Sequence, residues 1–157
     1  MMRALFIEFP DDPGAWLVDD AYLFGSSILV APLLEAGPTA RDVYLPAGRW
    51  IDYQTGHIYE RGWHHIEAGK IPVVMLVRDG TVLPQIGLAQ STAQMDWTKL
   101  ELVVFATDPT ANANGLVCLP SDGLLQKLEL ERKAAGFAFR NDPLGGRVKW
   151  SVRASSQ

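Results

Sequence analysis

Two pairs of adjacent aspartates, Asp11-Asp12 and Asp19-Asp20, most invite a catalytic reading of this sequence. Two carboxylates can divide general acid and base work, but they must converge on one bond. Adjacent residues of an extended segment point to opposite sides, so neither pair converges by itself. One Asp from each pair would meet only if the loop between them folded to bring them together. Aspartate is also a common turn and cap residue. A structural role is the expectation for both pairs, and no catalytic residue is assigned.

Three histidines, His57, His64 and His65, stand near Asp52 and Glu67 and carry metal-ligating atoms. Zinc needs ligands that converge and a supporting shell of hydrogen bonds. Adjacent His64 and His65 diverge on a strand, and no cysteine joins them. They read as surface or hairpin-loop histidines, and no metal site is expected. The aromatic group Trp50, Tyr53, Tyr59 and Trp63 is a better lead, because aromatic faces stack on sugars as well as fill cores. Trp63, in a glycine-flanked loop, and Tyr59 are the candidate carbohydrate-binding residues. Core and interface packing is the competing reading. Trp50 alternates with Asp52 and Ile51 with Tyr53, so only one of these pairs should face inward, and Trp50 is placed inside. The single Cys118 sits in the apolar run 116–119 and is expected to be a buried, inert thiol. Arg78-Asp79-Gly80 and Gly145-Gly146 read as turns, the latter without the spacing of a phosphate loop.

The elements that must position these residues are short strands. Apolar runs at 5–9, 28–33, 42–45, 50–53, 72–78 and 81–83 are each bounded by Gly, Pro or Asp. Such punctuation predicts an all-β fold, a sandwich or a barrel. Pro46-Ala47-Gly48 is read as a hairpin turn between its flanking strands, and Asp79-Gly80 as a two-residue hairpin. Residues 87–95 are small and polar and read as a linker. A second β segment follows at 100–106, 115–119, 124–131, 136–140 and 147–152. Residues 125–131 alternate apolar and polar as a half-buried strand does, and a short helix is the competing reading. The last residues, 154–157, are expected to fray.

Composition bounds the function. The 157 residues suit one domain or two small ones, and 48% hydrophobic content is enough for a core. A net charge of −4 with no basic stripe argues against nucleic acid. No apolar run approaches the roughly 20 residues of a membrane-spanning helix, and MMRALFIEF lacks the pattern of a signal peptide. Cytoplasmic residence is the default expectation. Residues 1–9 form an almost continuous apolar run, the pattern of a strand buried on both faces of a parallel sheet. Standing at the start of the chain, it would be orphaned from such a sheet. An unpaired edge recruits another strand, so self-association through this segment is expected.

Several motifs stand in fixed order: MRALFIEFPDD at 2–12, DDAYLFGSSILVAP at 19–32, VYLPAGRWIDYQTG at 43–56 and IPVVMLVRDGTVLP at 71–84. Together they resemble the C-terminal region of glycoside hydrolase family 31, the α-glucosidase and α-xylosidase family. Ala21 stands where that family usually has Gln. The resemblance implies a barrel remnant and crossover at 1–25 and, of the two all-β architectures, an antiparallel β-sandwich as the proximal domain at 26–86. It also implies a second, incomplete distal β segment at 87–157, although Ser121-Asp122-Gly123 replaces the family's more acidic pattern. The family's retaining mechanism uses two Asp residues on barrel loops upstream of the matched region. Neither surrounding motif occurs here, so the resemblance implies a non-catalytic fragment, inactive alone, needing no cofactor. Its implied partner is the catalytic barrel of a parent enzyme acting on an α-linked glucoside or xyloside. The alternative is a free-standing β-sandwich that binds carbohydrate or a protein partner.

Overall fold

The structure, a computed structural model, describes residues 2–108, 112–121, 123–133, 136–140, 143–145 and the strand path at 149–154. Expectations that fall on Asp122, Gly146 and residues 155–157 lie outside the described residues. The chain divides into two compact units, one up to Asp79 and one from Gly80 onward.

The first unit begins with β1 (Met2–Arg3), one helical turn α1 (Leu5–Glu8) and a 3-10 turn at Pro13–Leu17. The strands β2 (Tyr22–Phe24), β3 (Ile28–Pro32), β4 (Ala40–Leu45) and β5 (Trp50–Asp52) follow, then β6 (Ile58–Tyr59), β7 (Gly62–Glu67) and β8 (Val73–Arg78). Six of them form one sheet in the order β1-β2-β3-β8-β5-β6, and β4 and β7 form a separate pair. Every pairing in this unit is antiparallel. Leu23, Leu29, Ala31, Trp50, Val74 and Leu76 from the larger sheet meet Val43, Leu45 and Ile66 from the smaller one in a single core. Two sheets burying their apolar faces against each other make this unit a β-sandwich.

Several local expectations are corrected here. Residues 5–8 are helical rather than extended. Leu5 is buried and Phe9 packs against the core, a spacing of four that suits a helix, while Ile7 is exposed. A continuous apolar run hides its period, and Pro10 then stops the helix. The segment is not orphaned, since β1 pairs with β2 in the register Met2–Phe24. Gly48 has the positive φ expected of its turn, 122°. The strands it joins are nevertheless not a hairpin, because β4 pairs with β7 while β5 pairs with β6 and β8. Trp63, expected in a loop, lies within strand β7 together with His64 and His65. On β5, Trp50, Ile51 and Asp52 are all buried, so both faces are covered instead of one. Ile51 lies opposite Val77, itself buried, and Asp52 turns inward to accept the backbone N–H groups of Gln54 (2.8 Å) and Thr55 (2.7 Å).

Nor is Asp79-Gly80 a hairpin. β8 already has β3 on one side and β5 on the other, which leaves no edge for a returning strand. The next strand, β9 (Thr81–Gln85), pairs instead in the second unit, so residues 81–85 leave the first sandwich. The second unit continues with β10 (Lys99–Phe105), β11 (Ala113–Cys118), β12 (Leu125–Lys133), β13 (Gly136–Phe139) and β14 (Lys149–Ala154). They form one sheet in the order β13-β12-β11-β9-β10-β14. It is mixed, not purely antiparallel: β11 runs parallel to β9, and β14 parallel to β10. Residues 125–133 are a strand, with Leu128 and Leu130 buried. Cys118 is exposed, contrary to expectation. It shares its face of β11 with exposed Leu116, while Val117 between them turns inward.

Candidate functional site

The β4–β7 pair sets the geometry of the candidate site. Arg41 lies opposite Ile66 and Val43 opposite His64 on one face. Asp42 lies opposite His65 and Tyr44 opposite Trp63 on the other. Ile66 and Val43 pack between the sheets, and the other face carries exposed Trp63 beside Tyr44, which belongs to the same buried cluster.

Tyr44 is buried on that outer face because the 3-10 turn covers it. A Cβ at Gly14 would stand 2.2 Å from the tyrosine ring, so only glycine fits there. The turn is held by Asp12, whose Oδ1 accepts the Tyr44 hydroxyl at 2.7 Å, the Gly14 amide at 3.1 Å and the Arg61 guanidinium at 3.2 Å. The Tyr44 hydrogen bond holds the Asp12 carboxyl below its ordinary range, against the opposing effect of burial, with Gly14 and Arg61 adding to it. Burial, and then the Asp12 carboxylate, push the Tyr44 hydroxyl up. Asp12 Oδ2 is buried with no hydrogen bond among the described residues, so the anchor rests on Oδ1. The structure thus gives Asp12 a structural role, while its neighbour Asp11 is exposed.

Trp63 packs its ring on Tyr44 at 5.5 Å between centroids and remains 62% exposed. Beside it opens a cavity of about 380 Å³, whose lining includes Leu34, Glu35, Arg41, Asp42 and Asp20. The Arg41 side chain, only 14% exposed, forms the fixed part of this cavity. It donates to the Asp20 carboxylate, to the carbonyls of Asp20 (3.2 Å) and Pro32 (2.7 Å), and through Nε to that of Asp42 (3.3 Å). Asp42 pairs with His65 Nδ1 at 2.8 Å, and the two are 74% and 69% exposed.

The cavity gathers three carboxylates that the sequence scatters. Asp42 and Glu35 stand in solvent, and Asp20 is tied to the Arg41 guanidinium. Tyr59, the other sugar candidate, is not in this cavity. It packs edge-on between His57 and His64, at 4.7 and 5.3 Å, and against the core. Burial raises its hydroxyl pKa. The structure therefore separates the two aromatic candidates. His64 donates through Nε2 to the Glu60 carbonyl at 2.8 Å, on the face of β7 opposite His65. Among the described residues no three metal-ligating side chains converge. Sequence reasoning missed Glu35, Arg41, Asp42 and Tyr44. The available signal was the alternation of Asp42 and Tyr44 on β4, readable only once residues 62–67 are seen as the facing strand.

A second surface feature lies at the start of the chain. Met2, Phe6, Trp16, Val18, Tyr22 and Leu34 line a groove of about 640 Å³. Phe6 and Trp16 stack at 4.7 Å, and the Trp16 indole donates to the Pro10 carbonyl at 2.9 Å. Trp16 is nevertheless 58% exposed and Met2 65%.

Comparison with known proteins agrees with this architecture. The alpha-glucosidase of Hordeum vulgare is 37% identical over 115 residues, covering 70% of this chain and 13% of its own length. Alpha-glucosidase 2 of Bacillus thermoamyloliquefaciens is 32% identical over 97 residues, covering 61% of this chain and 12% of its own. The chain therefore spans only a small part of the curated relatives it matches. Among solved structures, the GH31 alpha-xylosidase of Xanthomonas citri superimposes with a TM-score of 0.69 at 28% identity, over 98% of this chain and 18% of that one. The GH31 dextranase of Flavobacterium johnsoniae, complexed with glucose, gives 0.70 at 25% identity over 82% of this chain and 17% of its own. The model of the glycosyl hydrolase family 31 C-terminal domain matches residues 1–83, more than half of the sequence, and the chain belongs to that family.

Proposed function

We propose that this chain is the non-catalytic C-terminal part of a retaining α-glycosidase and serves as the scaffold on which the catalytic barrel rests. The observation that carries the reading is the apolar groove of Met2, Phe6, Trp16 and Tyr22. Large exposed apolar side chains gathered at one place mark an interaction surface. The occupant is the barrel, because the match accounts for only 12–13% of the curated relatives' length and falls in the family's C-terminal domain. On this reading residues 1–25 complete the barrel's end and the crossover. The rest of the first unit is the proximal sandwich, and the second unit is a distal segment.

Retention needs two carboxylates about 5–5.5 Å apart across the scissile bond. In the family these lie on the barrel, so the chain alone is inactive and needs no cofactor. The parent substrate is an α-linked glucoside or xyloside, consistent with relatives named alpha-glucosidase and alpha-xylosidase. The test has two arms. Purified chain is assayed on nitrophenyl α-glucoside and α-xyloside, and no turnover is expected. It is then mixed with a family 31 barrel truncated before its own C-terminal domain. Association is expected, weakened about tenfold or more by Trp16→Asp, since aromatic anchors dominate such contacts. Turnover by the chain itself, or failure to associate with any such barrel, overturns the proposal.

A further inference from the structure

The cavity beside Trp63 shares Asp20, Pro32 and Leu34 with the N-terminal groove, but Trp63, Glu35 and Asp42 lie outside that groove and their chemistry points elsewhere. We infer that it is an ancillary binding site for one pyranose unit of a neutral gluco-oligosaccharide. Trp63 is the stacking platform, and the Glu35 and Asp42 carboxylates accept sugar hydroxyls.

Its volume of about 380 Å³ falls within the usual range for small-molecule pockets, roughly 300–1,000 Å³. The Trp63 indole, 62% exposed, presents an apolar plane of the kind a pyranose C–H face covers. Tyr44 meets it at a tilt of 56°, and the tyrosine hydroxyl is held by the buried Asp12. Tyr44 is thus a positioning residue for the platform. Around the ring stand groups suited to hydroxyls. Glu35 makes no hydrogen bond or ion pair with a described residue, so both its oxygens are available. Asp42 uses one oxygen on His65 and keeps the other. The Trp63 indole N–H has no partner among the described residues and can donate. Arg41, with most of its donors spent on Asp20, Asp42 and Pro32, keeps β4 from shifting against the segment that carries Leu34 and Glu35.

A cation is the competing ligand for an aromatic face beside carboxylates. Here Asp20 is neutralised by Arg41, and Asp42 has one oxygen committed to a hydrogen bond with His65. A single tryptophan face is also not a cage. A mixed set of free acceptors and donors favours a neutral polyol.

The experiment uses the whole chain. Saturation-transfer NMR and calorimetric titration are run with maltotriose and isomaltotriose, and with choline chloride as the cation probe. Saturable binding in the millimolar range is expected for at least one sugar and none for choline. Trp63→Ala should weaken sugar binding about tenfold, the upper end of an aromatic contact. Glu35→Gln, on an exposed segment where folding is not at stake, should weaken it about threefold, and Tyr59→Phe should leave it unchanged. Tyr44→Phe, which frees the ring beside Trp63 from Asp12, should shift the Trp63 resonances and weaken binding less than Trp63→Ala does. No saturable sugar binding, unchanged affinity in Trp63→Ala, or saturable choline binding overturns the inference. None of these results bears on whether a barrel docks at the N-terminal groove, so the two readings fail separately.

Discussion

The two units of this chain make sheets in different ways. In the first, every pair is antiparallel, and half of the pairings, β3–β8, β5–β8 and β4–β7, join strands that are not consecutive in sequence. In the second, β9 and β11 run parallel, as do β10 and β14, while β9–β10, β11–β12 and β12–β13 are antiparallel pairs of consecutive strands. The difference teaches what each kind of ladder demands of the chain between its strands. Antiparallel ladders can be closed by tight turns, whereas a parallel ladder needs a long crossover. The match to the C-terminal-domain model ends near the same boundary, at residue 83.

The comparison can be broken most severely at the two cores. Trp50→Ala removes a fully buried ring from the first unit and should cost about 4 kcal/mol in urea unfolding. A loss below about 1 kcal/mol would mean that Trp50 does not hold the sandwich together. Next is Gly115, where a Cβ would meet the Val82 carbonyl oxygen at 2.2 Å across the parallel pair. Gly115→Ala should cost about 3 kcal/mol, because a backbone atom cannot step aside as a side chain can. Amide exchange should show the β9–β11 hydrogen bonds opening first.

A smaller effect tests the anchor under Trp63. Tyr44→Phe removes the largest cause holding the Asp12 carboxyl below its ordinary value of 3.8. It should cost about 1.5 kcal/mol at neutral pH, the scale of a hydrogen bond to a charged group. Because the folded value is lowered, the carboxylate's contribution is present above the unfolded pKa, about 3.9. That contribution is lost as pH falls through the folded value. The gap between wild type and variant should therefore shrink below about pH 4. An equal gap at neutral and acid pH would show that the carboxylate's charge contributes nothing to the bond. The smallest effect is at Cys118. Its thiol should react with maleimide in the folded protein, and Cys118→Ser should change stability by less than about 0.5 kcal/mol.

Legibility in the sequence was uneven for physical reasons. Strand positions such as β3, β8 and β10 were readable, because each carries a dense apolar run between breakers. Pairing was not. Pro46-Ala47-Gly48 and Asp79-Gly80 do turn the chain, but a turn says nothing about whether the following strand finds a free edge. β8 had none left, and β9 went to another sheet. Of the candidate site, Trp63 was visible as an exposed ring in prospect. Glu35 and Arg41 were not, since ordinary surface charges carry no mark of the cavity they will line.

By itself the sequence determined the all-β character, the burial of Trp50 and the membership of family 31, because these rest on residue types and their order along the chain. Only the tertiary structure decided that residues 5–8 coil into a helical turn, that β4 pairs with β7, and that Trp63 parts from Tyr59 to stand beside Arg41 and Asp42. These outcomes depend on which edges and faces remain open after other strands have paired, a competition among distant segments that no local pattern records.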